Sequence, residues 1–165
     1  MTISESVAKM QETALAAKAR LDGYGFDIKV ETDYMNSMLR PIENPEKAKY
    51  VTTSLIVGGE GVKEGEEYCL SIGVVVKGKK VDDEQFDKDS HKFNEMVDEM
   101  IGVLDAHEDK VEGLGVLTAK ANEEYEKLLA EIQENQRKSR RAAAIGNIVF
   151  FIGIMLLFIV AMTRS

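Results

Sequence analysis

The spacing of apolar residues changes along the chain and divides it into segments of different predicted structure. In residues 3–21 the apolar positions lie three or four apart, which is the spacing of one helix face. These positions are Ile3, Val7, Met10, Ala14, Ala17 and Leu21. Thr2 and Glu5 have the spacing of a capping box, and Gly23 is predicted to end the helix. The chain is therefore expected to begin with an amphipathic helix.

A period of two follows this helix. Apolar and polar residues alternate from Tyr24 to Asp33, which predicts a half-buried strand. Residues 50–57 and 67–77 are rich in β-branched residues and predict two more strands. The glycine-rich residues 58–66 are predicted to join these two strands as a hairpin loop. The stretch 34–49 contains both prolines of the chain and is predicted to be irregular, with one short helical turn.

The helical period returns after Gly78. Asp82 and Gln85 are predicted to cap a second helix, whose apolar face consists of Phe86, Phe93, Met96, Val97, Met100 and Leu104. Two helices and three strands predict an α+β domain, ordered α-β-β-β-α over residues 1–110. In this domain the helices cover one face of a small three-stranded antiparallel sheet.

Residues 111–141 form a charged helical stretch, which we expect to be broken or kinked at Gly113 and Gly115. It keeps a three-four spacing whose strongest members are Tyr125, Leu128 and Ile132, the candidates for a seam along a stalk. One interpretation is pairing with a second copy or with a partner helix. The other is a solvated stalk whose few apolar residues pack on their own domain, and the small number of apolar residues favours it.

Residues 142–162 carry no charge over 21 positions. As a helix this segment is about 31 Å long, close to the hydrocarbon thickness of a bilayer. We therefore predict a single transmembrane helix, with residues 163–165 as a short tail on the far side. The small residues Ala142, Gly146 and Gly153, together with Asn147, are its candidate helix-packing positions, since small residues let two transmembrane backbones approach closely.

Charge predicts the orientation of this helix. Four basic residues precede it, namely Arg137, Lys138, Arg140 and Arg141, and Arg164 alone follows it. The positive-inside rule therefore places the N-terminal domain in the cytoplasm, giving a tail-anchored topology. The same four basic residues are candidates for contact with anionic lipid headgroups. The sequence does not indicate which membrane is involved.

The chain has a net charge of −8, and all 29 acidic residues precede Arg137. An acidic domain repels phosphates, so nucleic acid is not expected as a partner. The single cysteine, Cys69, excludes an intrachain disulfide and fits a reducing compartment. Because it lies in a predicted strand, we expect Cys69 to be a buried structural thiol.

Motifs for chemistry are weak. His91 and His107 have no accompanying metal-ligand pattern, and both are expected on the surface. The acidic run of residues 82–89 lacks the central glycine of a calcium loop and suits a solvated helix start. Residues 58–61 lack the ending of a phosphate-binding loop. The sequence therefore predicts no catalytic residue, no metal site and no cofactor.

The functional interpretation therefore depends on the architecture of the chain. The first hypothesis is a non-enzymatic interaction, scaffold or adaptor module, held at a membrane surface and bound to a cytosolic or membrane protein through a sheet edge, the exposed sheet face or the first helix. Confinement at a membrane raises the effective concentration of such a partner. One alternative is a fusion or tethering protein that resembles SNARE proteins in architecture alone. The other is a small membrane-bound enzyme or ligand-binding domain.

Overall fold

The computed structural model describes residues 1–63 and 66–163, and the side chains of these residues as far as Arg140. The chain divides into two compact units, of which the first is Met1–Ala119 and the second begins at Lys120. Helix α1 (Ile3–Leu21) comes first in the chain and is followed by the four strands β1 (Asp27–Met35), β2 (Tyr50–Gly58), β3 (Tyr68–Lys77) and β4 (Lys80–Val81). Helices α2 (Asp83–Ala106) and α3 (Lys110–Thr163) come after the strands. Short 3-10 turns occur at Asp22–Tyr24 and Pro45–Lys47. The first unit is an α+β domain, as the sequence predicted.

The sheet has four antiparallel strands in the order β1-β2-β3-β4, so the predicted number of three is wrong. Gly78 and Lys79 both have positive φ, at 56° and 72°, and turn the chain back so that Val81 pairs with Val76. Such a two-residue turn is typical of hairpins. The start of the chain lies against β4, where the Val81 amide donates to the carbonyl of Met1 at 2.9 Å. The hydrophobic pattern did not predict β4, because a strand of two residues is too short to show a period.

One face of the sheet carries the core. The side chains of Leu55 on β2 and Leu70 on β3 are paired in register and fully buried. From them burial alternates along both strands, and α1 and α2 pack on the buried face. The predicted apolar faces of both helices lie in this core, with Ile3 and Met96 at its margin. Two helices over one sheet face, as predicted, leave the other face of the sheet outside this core.

The N-terminus of α1 forms the predicted capping box. The amide of Glu5 donates to the Thr2 hydroxyl at 3.2 Å, and the amide of Thr2 donates to the Glu5 carboxylate at 2.8 Å. Hydrogen bonding of the Glu5 carboxylate to Thr2 lowers the pKa of Glu5, first through the Thr2 amide and then through the Thr2 hydroxyl. The helix ends at Leu21, close to the predicted end, but the left-handed residue that follows is Gly25 rather than Gly23.

Replacement of Thr2 by alanine is expected to lower the free energy of unfolding by about 1 kcal/mol, because the Glu5 amide loses its acceptor. The lowered pKa of Glu5 means that its ionised form stabilises the fold above the ordinary value of 4.5, and that this contribution disappears as the pH falls through the lowered pKa. Alanine keeps the amide that donates to the Glu5 carboxylate and removes only the Thr2 hydroxyl, the smaller cause of the lowered pKa, so the effect of Thr2→Ala should shrink only slightly in acid. Urea unfolding at two pH values measures it, with Ser4→Ala as the matched loss of an exposed hydroxyl. Equal effects of the two substitutions would contradict the capping role.

A polar contact joins the end of α1 to the end of α2. The Tyr24 hydroxyl donates to Asp105 Oδ1 at 2.5 Å, and this bond, followed by desolvation, raises the pKa of Tyr24. Arg20, one turn before Tyr24, forms an ion pair with Asp98, which lies two turns before Asp105 on α2. Both contacts are exposed, so they align the helices and add little stability.

The predicted helix break at Gly113 and Gly115 is wrong, because α3 passes through both residues. The break lies at residues 107–109, where Asp109 Oδ1 accepts the Val111 amide at 2.9 Å and caps α3. Leu114 and Leu117, which lie near the start of α3, are buried in the core. Their burial outweighs the cost of the two glycines, about 1 kcal/mol each.

Candidate functional site

The loop between β1 and β2, residues 36–49, carries the most unusual local structure of the first unit. We call residues 36–41 the tip. The Asn36 amide donates to the carbonyl of Arg40 at 3.0 Å, and Asn36 Oδ1 accepts the amides of Met38 at 2.9 Å and Arg40 at 3.1 Å. A bridge between Met35 and Pro41 closes the base of the tip. Asn36 therefore holds the tip in one tight conformation.

Two apolar side chains stand at the end of this tip. Met38 is 73% exposed and Leu39 is 61% exposed. Leu39 has a φ of +56°, in the left-handed region that costs a residue with a Cβ atom about 1–2 kcal/mol. Strained non-glycine residues cluster at binding and switch sites, where the surrounding structure maintains them. The hydrogen bonds of Asn36 therefore hold an exposed apolar pair in a conformation that leucine rarely adopts.

The other part of the same loop borders a shallow cleft. The Ile42 amide donates to the Tyr34 carbonyl at 2.8 Å, and Asn44 Oδ1 accepts the Glu46 amide at 3.0 Å, which fixes the turn Pro45–Lys47 beside the start of α1. The resulting cleft has a volume of about 290 Å³ and is lined by Ile3, Ser4, Val7, Tyr34, Pro45 and Glu46. It is mostly apolar and lies at the lower size limit of ligand sites. Its dimensions suit one or two side chains of a partner.

The sheet face away from the helices is the second candidate surface. Small polar side chains lie across its middle, with Ser54 Oγ 2.8 Å from Ser71 Oγ. Cys69 lies on this face and is exposed, so the prediction of a buried thiol is wrong. Side chains alternate between the two faces along β3. Leu70 and Ile72 face the core, so Cys69, the residue before Leu70, faces outward. This face has no side-chain arrangement that points to a particular chemistry.

Both histidines have local structural roles. His91 Nε2 lies 3.4 Å from Glu95 on the exposed side of α2. His107 ends α2, and its Nδ1 lies 2.8 Å from the carbonyl of Val103. Likewise, Asp82 at the start of the acidic run accepts the amides of Glu84 and Gln85 and caps α2. Among the described residues, no group of histidine, cysteine and acidic side chains could hold a metal ion.

The seam candidates lie in the second unit. Tyr125, Leu128 and Ile132 are all exposed, and Leu129, which the sequence analysis did not single out, extends their row. Of the basic residues that precede the predicted span, Lys138 pairs with Glu134 at 2.8 Å. Arg137 and Arg140 line a hollow of about 210 Å³ with Gln133 and Gln136.

The membrane-related candidates are not tested by the structure. In the described part of the chain, no helix is both long and apolar enough to cross a bilayer. Arg141, Ala142, Gly146, Asn147 and Gly153 belong to the backbone of α3, but their side chains lie outside the described residues. The span at 142–162 and its packing positions therefore stay predictions.

Comparison with protein-family models, with curated proteins and with solved structures finds no match to this chain. Its surfaces therefore have to be interpreted from their own chemistry. The sequence analysis missed the apolar pair Met38 and Leu39 because irregular loops have no period against which an exposed residue stands out. A usable signal was present, since two large apolar residues lie between Asn36 and Pro41 in a segment already predicted to be a loop.

Proposed function

We propose that this protein is a non-enzymatic interaction module, anchored in a membrane by residues 142–162, which binds a partner protein through the loop of residues 36–49. The observation that carries the proposal is the exposed apolar pair Met38–Leu39, held in a strained turn. Exposed apolar side chains that are fixed in place are typical anchors of protein interfaces, because little side-chain and backbone freedom is lost when they bind.

The chemistry of the loop indicates the kind of partner. The tip supplies two adjacent aliphatic side chains, and the cleft next to Pro45 supplies an apolar recess, so the partner should offer one apolar recess and one apolar side chain. Basic and acidic residues nearly balance within the loop, whereas the domain around it is acidic. A partner with an acidic surface is therefore repelled less strongly at this loop than at other parts of the domain surface.

A photocrosslinking amino acid in place of Met38, in the full chain and in its native membrane, tests the proposal. We expect a discrete crosslinked product at position 38 and none for the same amino acid at Leu15, a 54% exposed residue on α1. The variant Leu39→Asn should remove the product, because asparagine tolerates the left-handed turn but lacks the apolar side chain. Leu15→Asn is the matched control.

Two outcomes would reject the loop as the binding site. The first is an identical set of products from positions 38 and 15. The second is recovery of the same partner by a chain that lacks residues 1–110, because the anchor and its preceding helix would then be sufficient.

A tethering protein of SNARE-like organisation is the second candidate, and one observation favours it. The sequence predicted a helix break at Gly113 and Gly115, which would shorten a pairing helix, but α3 is continuous there. Within residues 120–140, whose side chains the structure describes, the strongly apolar positions are nevertheless confined to residues 125–132, about one heptad. Long helical bundles need several such heptads, so the interaction module remains the better explanation.

A further inference from the structure

The part of α3 between Lys120 and Arg140 is exposed around its whole circumference. Four apolar residues nevertheless form a row on it, which we call the α3 stripe: Tyr125, Leu128, Leu129 and Ile132, each between 37% and 61% exposed. Their separations of three and four residues place them on one side of a helix. An apolar row on an otherwise polar helix is the pattern of a helix that packs against another helix.

The two ion pairs near the α3 stripe do not cover its apolar side chains. Lys127 pairs with Glu123 at 2.6 Å and Lys138 pairs with Glu134 at 2.8 Å, each within one turn of the helix. These four side chains occupy positions outside the core positions of the heptad set by residues 125, 128 and 132. Neither of these two ion pairs has to be broken for a second helix to reach the stripe.

We propose that the α3 stripe binds the same stripe of a second copy of this chain, in parallel. The flanking residues favour this occupant. Tyr125 and Ile132 occupy the a positions of the heptad and Leu128 the d position. In a parallel coiled coil, each g residue, which immediately precedes an a residue, faces the e residue of the other helix, five positions further along. Glu124 then faces the second copy's Leu129, and Glu131 faces its Gln136, whose amide donates hydrogen bonds to a carboxylate. Like charges do not meet at either place.

The proposal rests on the membrane anchor of the proposed function. Two copies inserted in the same orientation in one bilayer hold their stripes at equal distances from it, which sets the parallel register without further contacts. The stripe is short, and four apolar residues do not maintain a coiled coil in dilute solution. Confinement to two dimensions raises the effective concentration of the second copy. The pair is therefore expected to depend on protein density in the membrane.

Disulfide crosslinking of single-cysteine variants tests the pairing. The full chain with Cys69→Ser is reconstituted in liposomes, and cysteine replaces Tyr125, Leu128 or Ile132 in turn. Ala130 and Gln133 provide control positions away from the core of the heptad. Each core position is expected to form a disulfide-linked dimer several-fold faster than either control. Addition of lipid at constant protein should slow all three.

A second variant guards against a local effect of cysteine. Leu128→Glu, tested with the cysteine at position 125, should reduce dimer formation to the rate of the controls, whereas Lys127→Glu should not. Equal rates at core and control positions would overturn the proposal. Crosslinking in native membranes to a different protein in place of the second copy would also overturn it, and would identify the stripe as the site of a partner helix.

Failure of this inference is distinguishable from failure of the proposed function. If the chain resists alkaline extraction from the liposomes and crosslinks without a heptad pattern, the pairing is wrong and the anchor stands. If the chain is extracted from the liposomes, the anchor is wrong and the pairing that rests on it fails as well. Photocrosslinking at Met38 reports on the loop in both cases.

Discussion

A chain that lacks residues 142–165 is expected to lose its attachment to membranes. The deleted segment contains twelve Ile, Leu, Phe or Val residues. At about −0.3 to −0.6 kcal/mol each near the bilayer centre, these residues favour insertion by at most about 4–7 kcal/mol, so their removal should lower membrane partitioning by a factor of up to about 10³–10⁵. Sedimentation of cell membranes after alkaline carbonate treatment measures this: the full chain should pellet, and the shortened chain should stay in the supernatant.

The matched control for this deletion replaces residues 142–162 by a leucine-alanine helix of equal length. Because insertion depends on apolar length more than on sequence, the replacement should restore the carbonate-resistant pellet. In both anchored chains, protease added from the cytoplasmic side should digest the first unit, as the basic residues before the span predict. A full chain found in the supernatant, or a shortened chain found in the resistant pellet, would contradict the anchor.

The sequence was most informative where one hydrophobic period continues over several turns. The buried face of α1, from Val7 to Leu21, and that of α2, from Phe86 to Leu104, follow from the three-four spacing alone. Strands β2 and β3 were located within a residue of their ends by their β-branched residues and the glycine-rich loop between them. In these elements local propensity and the burial of apolar side chains favour the same structure.

The errors occurred where a local rule competes with tertiary packing. Glycine propensity predicted a break at Gly113 and Gly115, but the burial of Leu114 and Leu117 keeps the helix intact there. The two residues of β4 are too few to show alternation. Cys69 was placed in the correct strand but on the wrong face, because the residue type was given more weight than the alternation with Leu70.

The candidate site could be predicted from the sequence only in part. The heptad spacing located Tyr125, Leu128 and Ile132, whereas their exposure depends on whether any other part of the chain covers them, which spacing does not reveal. The tip was not located, because the left-handed conformation of Leu39 is imposed by the hydrogen bonds of Asn36 and runs against the preference of leucine. Sites that depend on such strain are the ones that sequence rules miss.

Replacement of Phe93 by alanine is expected to destabilise the first unit by about 3–5 kcal/mol, the largest effect of any single substitution proposed for it. Phe93 is 1% exposed and lies in the middle of α2, on the face that packs against β3. Its neighbours Val97 and Met100 are fully buried, so they have little freedom to fill the cavity. Small domains are stable by about 5–15 kcal/mol, so the loss is a large part of the total.

Urea unfolding of the full chain in detergent, followed by circular dichroism, measures this effect as a lower midpoint at unchanged slope. Phe26→Ala is the matched control, because that ring is half-buried at the margin of the core and its loss should cost clearly less. The crosslink from position 38 should disappear in Phe93→Ala at urea concentrations that the unsubstituted chain tolerates, because the tip is held by an intact sheet. Equal midpoints for the two phenylalanine variants would show that α2 is not packed on β3 as described, and would remove the structural basis of the loop site as well.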